Sequence, residues 1–209
     1  MAIFSGEQLA NSLKSLGVDF ILGGQEATDP LKIEPPALIA ALAESAESRL
    51  RLSLIPLFLQ YPEFAKYVGD ALQTLAPPAR VTLQCYYTAA HWLQQKYRER
   101  LLPILGNKPD LPDLFSKELD LPRLQDLDEN LRVLADRHEI LSGKHINWLG
   151  TYEHGAQRYI IHLERIRQCS EIQFNRMQDW DGKQISDDGR PGLNYSYPLT
   201  NPAFFENHK

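Results

Sequence analysis

The sequence predicts an all-α protein, a multi-helix array or bundle with at most one short N-terminal strand and an extended C-terminal arm. Apolar residues recur at three- and four-residue intervals from Leu38 through Ile166, and sustained alternation occurs only around Leu50 to Leu54. Proline pairs, Pro35-Pro36 and Pro77-Pro78, fall where periodic stretches begin, as suits the first turn of a helix. Beyond Met177 the composition changes to Gly, Pro, Asn and Asp with isolated aromatics. Two regions follow: a helical domain over residues 1–176 and an extended arm over 177–209.

The first helix is announced by Ser5, which can cap, and Gln8, which can reach back three residues, with Phe4 placed to staple onto Leu9. Leu9, Leu13 and Leu16 supply its apolar face and Gly17 stops it. Val18 to Leu22 is β-branched and aromatic enough for a short strand, closed by Gly23 and Gly24, after which a turn-rich loop runs to Pro36. A helix through Leu38, Ile39 and Leu42 precedes the densest apolar run of the chain, Ser48 to Leu59, which Ser45 or Ser48 can cap. Leu50, Leu54, Leu57 and Phe58 share one face there, while Arg49 and Arg51 can lay their stems over apolar surface and keep their charges wet. Pro56 cannot bond the carbonyl of Leu52, so a kink is expected around Leu52 and Ser53.

Tyr61-Pro62-Glu63 opens a further helix carrying Phe64, Tyr67, Val68, Leu72 and Leu75. A long one follows from about Ala79 to Leu102, with Lys96, Arg98 and Arg100 opposing the negative end of its dipole. Gly106 to Pro122 reads as a proline-rich connector with a single turn around Leu114 and Phe115. Leu124, Leu127, Leu131 and Leu134 define a helix ending near Gly143, and Trp148, Tyr152, Ala156, Tyr159, Ile160, Leu163 and Ile166 define the last long one. Three amphipathic helices in succession before residue 76 resemble a HEAT-type stack, as architecture only.

Composition narrows the functional classes. A formal net charge of -5 disfavours broad electrostatic binding of nucleic acid. The two cysteines, Cys85 and Cys169, lie far apart without metal-ligand spacing, which fits a reducing cytoplasm better than a disulfide framework. The first residues lack a basic region followed by an apolar core, and no apolar run approaches the roughly 18 residues of a membrane span, so no membrane association is expected. No phosphate loop, nucleophile elbow, metal cluster or dinucleotide fingerprint occurs, and no cofactor is expected.

Two stretches carry resemblances. Leu16 to Gly24 resembles the opening of minimal nucleotidyltransferases, in which a helix leads into a strand ending in a glycine pair. That family's catalytic Gly-Ser followed by paired aspartates is absent, so transferase activity does not carry over. Arg132 and His138 resemble the Arg-x(4 to 6)-His signature of the helical HEPN ribonucleases, whose arginine and histidine act on RNA phosphates, although Val133 departs from the polar residue favoured after the arginine. In an unbroken helix, that spacing puts the two side chains roughly 120° apart. Together the resemblances imply an alternative role as a metal-independent ribonuclease or toxin component paired with a nucleotidyltransferase.

Other clusters have structural readings beside functional ones. His154, Arg158, His162 and Arg165 form a basic stripe on the last long helix, which could meet phosphate or be a solvated face diluted by Glu153 and Glu164. His154 and His162 have no third ligand at metal spacing, so no metal site is expected. His91 lacks a nucleophile nearby, and the acidic region from Asp110 to Glu129 lacks the glycine and alternating oxygens of a calcium loop. Tyr86, Tyr87, Trp92 and Tyr97 read as core aromatics that could alternatively stack on bases. The leading expectation is a non-enzymatic, helical interaction or adaptor protein whose partner is another protein or a second copy. Trp180, Tyr195, Tyr197, Phe204 and Phe205 of the arm, with the Tyr87 to Trp92 face, are its expected contacts.

Overall fold

A computed structural model describes residues 4–18 and 33–181, with side chains to residue 173. Among these residues every regular element is helical and no strand occurs. The expected strand lies, from residue 19 onward, outside the described residues; Val18 itself is buried and non-helical. The chain divides into a unit of residues 1–171 and a second of residues 172–209. Among the described residues no helix is long and apolar enough to cross a membrane.

Helix α1, Gly6–Ser15, starts with a full capping box: the Gln8 backbone N–H donates to Ser5 Oγ at 3.1 Å and the Ser5 N–H donates to Gln8 Oε1 at 2.8 Å. Helix α2, Pro35–Glu44, opens on the proline pair. The dense apolar run forms two helices, α3 Ser48–Leu52 and α4 Leu54–Gln60, separated at Ser53. Pro56 is the cause: it has no N–H for the Leu52 carbonyl, and a break at Ser53 moves the proline into the first turn of α4, where a missing donor costs little. Neither Ser45 nor Ser48 caps α3. Its N-cap is Glu47, without a side-chain cap bond, and Ser45 Oγ instead accepts from the Glu47 N–H at 3.2 Å.

A 3₁₀ segment, Pro62–Tyr67, leads into α5, Val68–Thr74. The long helix begins at Pro77 rather than Ala79 because both prolines fit its first turn, and it ends at Lys96; a bend at Tyr97 separates α6, Pro77–Lys96, from α7, Arg98–Leu105. Arg98 and Arg100 therefore sit in the first turn of α7 rather than at the end of a longer helix, and they find carboxylates instead: Asp110 for Arg98 and, two bonds to one carboxylate at 2.9 and 3.0 Å, Glu164 for Arg100. Helix α8, Leu127–Ser142, is capped by Asp126 and closed by Gly143 in the left-handed region at φ 63°, where a Cβ would be strained. Helix α9, Trp148–Asp181, continues past Met177, so Asp179 and Trp180 are helical rather than extended.

Helix α6 is the centre of the first unit. Every residue from Leu83 to Ala90 is buried, and α2, α4, α7 and α8 pack around it. Where the helix is enclosed, its polar side chains must be answered by the wrapping. The Tyr87 hydroxyl donates to the Pro112 carbonyl at 2.9 Å, Gln94 Nε2 donates to the Pro109 carbonyl at 3.0 Å, and the Leu111 N–H donates to Gln94 Oε1 at 2.7 Å. His91 Nδ1 lies 2.7 Å from the Leu111 carbonyl; a carbonyl only accepts, so Nδ1 carries the proton and Nε2 accepts from Gln95 at 3.0 Å. These bonds hold the proline-rich connector against α6 and bring Leu111, Phe115, Leu119 and Leu121 into the core.

Replacing Gln94 with Leu keeps the volume and strands two backbone groups of the connector. The variant should lose about 2–3 kcal/mol of unfolding free energy in urea titration. Gln95→Leu, at an exposed position, should change it by less than about 0.5 kcal/mol.

Candidate functional site

The break at Ser53 leaves α3 as a single short turn across the end of α2, and this opens a cleft. Arg51 closes the joint: its Nη1 donates to the carbonyls of Ser45 at 2.5 Å and Ala46 at 2.9 Å. Arg49, exposed, donates through Nε to Glu47 at 2.7 Å. The opposite wall is the start of α9. Asn147 Oδ1 accepts from the Gly150 N–H at 2.8 Å, and Thr151, His154 and Arg158 follow along the helix. Gly155 allows the approach of α9: a Cβ there would lie 2.7 Å from Leu52 Cδ1. The cleft encloses about 880 Å³ and adjoins another of about 700 Å³ that reaches Lys144 and His138; the two share Arg51, Tyr86 and Trp148.

The floor is a packed aromatic cluster. The His138 ring stacks on Trp148 at 3.7 Å between centroids, and Tyr86 meets both rings and Tyr152 edge-on. His138 Nδ1 and the Tyr152 hydroxyl share a hydrogen bond of 2.6 Å. His138 is only 1% exposed. Burial first, then the neighbouring charges of Lys144 and Arg51, push its pKa down to about 3, so the ring is neutral across the physiological range. Burial likewise holds the Tyr152 hydroxyl protonated and pushes the Tyr86 phenol up to about 12, and the Cys85 thiol, also buried, up to about 12. Such groups brace a floor; they do not exchange protons with a substrate at neutral pH.

The residues singled out in the sequence are redistributed. Arg132 and His138 stand on one unbroken helix, Arg132 exposed and paired with Glu129 at 3.1 Å, His138 in the core, so they form no joint site within the chain. Of the basic stripe, His154 and Arg158 line the cleft, whereas Arg165 is exposed elsewhere on α9 and His162 is half-buried with its Nε2 enclosed. Tyr87 and Trp92 are buried, which removes the face between them as a contact surface. Tyr97 is half-buried and donates to Glu153, in a clasp where Lys96 also reaches Glu153 at 2.5 Å and Asp128. Among the described residues no group of acidic, histidine or cysteine side chains could hold a metal ion. The side chain of Trp180, and Tyr195, Tyr197, Phe204 and Phe205 altogether, lie outside the described residues.

No family model, curated protein or solved structure matches this chain.

Sequence reasoning missed the partnership of Arg49 and Arg51 with His154 and Arg158, because about a hundred residues separate them and only the fold joins them. The burial of His138 did have a signal: with Leu127, Leu131 and Leu134 it continues the four-three-four apolar spacing of α8. The consequence is measurable. Unfolding returns His138 to its ordinary value of 6.5, so below that pH the unfolded chain binds a proton the folded one refuses until about pH 3. Stability from the neutral ring is complete above pH 6.5 and falls as pH drops through this window. Between pH 6.5 and 5 the loss should be about 2 kcal/mol in chemical denaturation, and His138→Gln should remove that part of the pH dependence.

Proposed function

We propose that this chain is a non-enzymatic interaction protein that holds a protein partner, with the cationic cleft between α3 and α9 as its contact site. The convergence of Arg49, Arg51, His154 and Arg158 on one cleft is the observation that carries this reading. Recognition needs only a surface of fixed charge and shape, which this cleft supplies. Trp180 near the end of α9, with Tyr195, Tyr197, Phe204 and Phe205, provides a second set of contacts, since isolated aromatics among Gly and Pro such as the last four bury area at modest conformational cost and cannot build a core of their own. Free Cys85 and Cys169 fit a reducing compartment, and the reading places the protein in the cytoplasm. The ribonuclease alternative draws no support from Arg132 and His138, one exposed and one enclosed.

Affinity purification of the tagged full-length chain from its own cells tests the reading. Arg49→Glu combined with Arg158→Glu should leave the melting temperature within about 2 °C of wild type and deplete co-purified proteins several-fold. Co-purification indifferent to the charge reversal would sink it. Removing residues 182–209 should likewise weaken these complexes while the helical unit of residues 1–171 keeps its cooperative unfolding. Incubation with RNA in the absence of metal should give no cleavage, and His138→Ala should make no difference to that result.

A further inference from the structure

Resting on that reading, we infer that the segment seated in the cleft is an acidic stretch of the partner, read through its carboxylates by Arg51 with Arg49 and Arg158. The chain carries a net charge of -5, yet among the described residues no acidic side chain lines the larger cleft, and Glu47 stands at its edge on Arg49. A local concentration of cations on an acidic protein focuses its field on what enters that cleft.

Arg51 is the anchor. Both of its hydrogen bonds to carbonyls leave from Nη1, so the Nε and Nη2 edge, which meets a carboxylate with two parallel bonds, has no protein partner among the described residues. The carbonyl bonds and its partial burial fix the guanidinium before any ligand arrives, which lowers the entropy lost on binding. Of the flanking groups, Asn147 Oδ1 accepts from the Gly150 N–H and the Thr151 hydroxyl donates to the Asn147 carbonyl at 2.8 Å. The guanidinium groups make negative charge the feature the cleft favours.

The floor argues against the other common polyanion. Single-stranded nucleic acid is held by stacking bases on open aromatic faces. Here Tyr86 is 2% and Trp148 7% exposed, and the His138 ring covers a face of Trp148. Neither Tyr86 nor Trp148 offers a base an open face to stack on. A long phosphate backbone would also meet the repulsion of an acidic chain beyond the cleft, whereas a short run of carboxylates meets the cleft alone.

Fluorescence anisotropy with full-length protein and a fluorescein-labelled hexaglutamate peptide tests this, with hexaglutamine and a labelled six-nucleotide oligouridylate beside it. Hexaglutamate should bind at low salt and be released in 0.5 M NaCl, on the order of tenfold or more weaker; hexaglutamine should not bind. Arg51→Gln should abolish binding. Because Arg51 also secures the end of α2, Arg49→Gln with Arg158→Gln serves as a variant free of that role and should weaken binding at least tenfold, while Arg132→Gln should leave it unchanged. Tighter binding of oligouridylate, or hexaglutamate binding unaffected by Arg49→Gln with Arg158→Gln, overturns the inference. If hexaglutamate fails to bind while Arg49→Glu with Arg158→Glu still strips proteins from the purified chain, the acidic class falls and the contact site stands. If neither assay responds, both fall.

Discussion

The buried middle of α6 is the constraint from which the rest of the structure follows. A helix buried through this stretch cannot leave Tyr87 or Gln94 to water, so some element must come and bond them, and the same element reaches His91. The segment between α7 and α8 does so with its backbone. Its prolines suit the task, because a chain that cannot form helix keeps its carbonyls free to accept from side chains. Leu111 and Phe115 then fill the space the connector crosses, so polar matching and apolar burial specify one register together. On the other side of α6, Tyr86 meets His138, Trp148 and Tyr152, and this cluster seats α8 and the start of α9.

The cleft is a by-product of satisfying that core with a proline in the wrong place for a straight helix. Had Leu52 to Gln60 run on as one helix with α3, Arg51 would have lain along its surface. With the break at Ser53, whose hydroxyl donates to the Arg49 carbonyl at 3.0 Å, α3 turns across the end of α2 and Arg51 becomes the group that answers the carbonyls of Ser45 and Ala46. Gly155 brings α9 against this joint. A larger residue there would force the Leu52 side chain aside. One local backbone defect thus sets the width of the cleft and positions its most deeply held cation.

What could be read from the chain alone divides along the same line. The capping box of α1, the break near Ser53, the proline start of α2 and the glycine stop of α8 were legible because each depends on residues within a few positions of one another. The bend at Tyr97 was not, since no proline or glycine marks it; the ties of Lys96 and Tyr97 to Glu153 and of Arg100 to Glu164 lie 56 to 64 positions along the chain. The cleft escaped for the same reason. A stripe read on α9 alone looks like a solvated face, and Arg49 and Arg51 read alone look like stems over apolar surface. Their meaning as a set is tertiary. His138 sits between these cases: the apolar spacing of α8 points it inward, and only the fold supplies Tyr152 as its partner.

The same cations serve the cleft and the floor in opposite senses. Burial does most to keep a proton off His138, and Lys144 and Arg51 add to it, so the positive potential that would draw a carboxylate to the rim also favours the neutral imidazole beneath it. Neutrality is what lets the ring stack on Trp148 without a counter-ion: a buried imidazolium would need one, and a carboxylate entering the core to provide it would weaken the field of the cleft. The acids nearest the site are kept at its edge instead, Glu47 on exposed Arg49 and Glu44 along the adjoining space. A basic rim over a neutral aromatic floor is consistent with holding an anionic segment at the surface, where its carboxylates remain partly solvated, and it is inconsistent with carrying charge into the core.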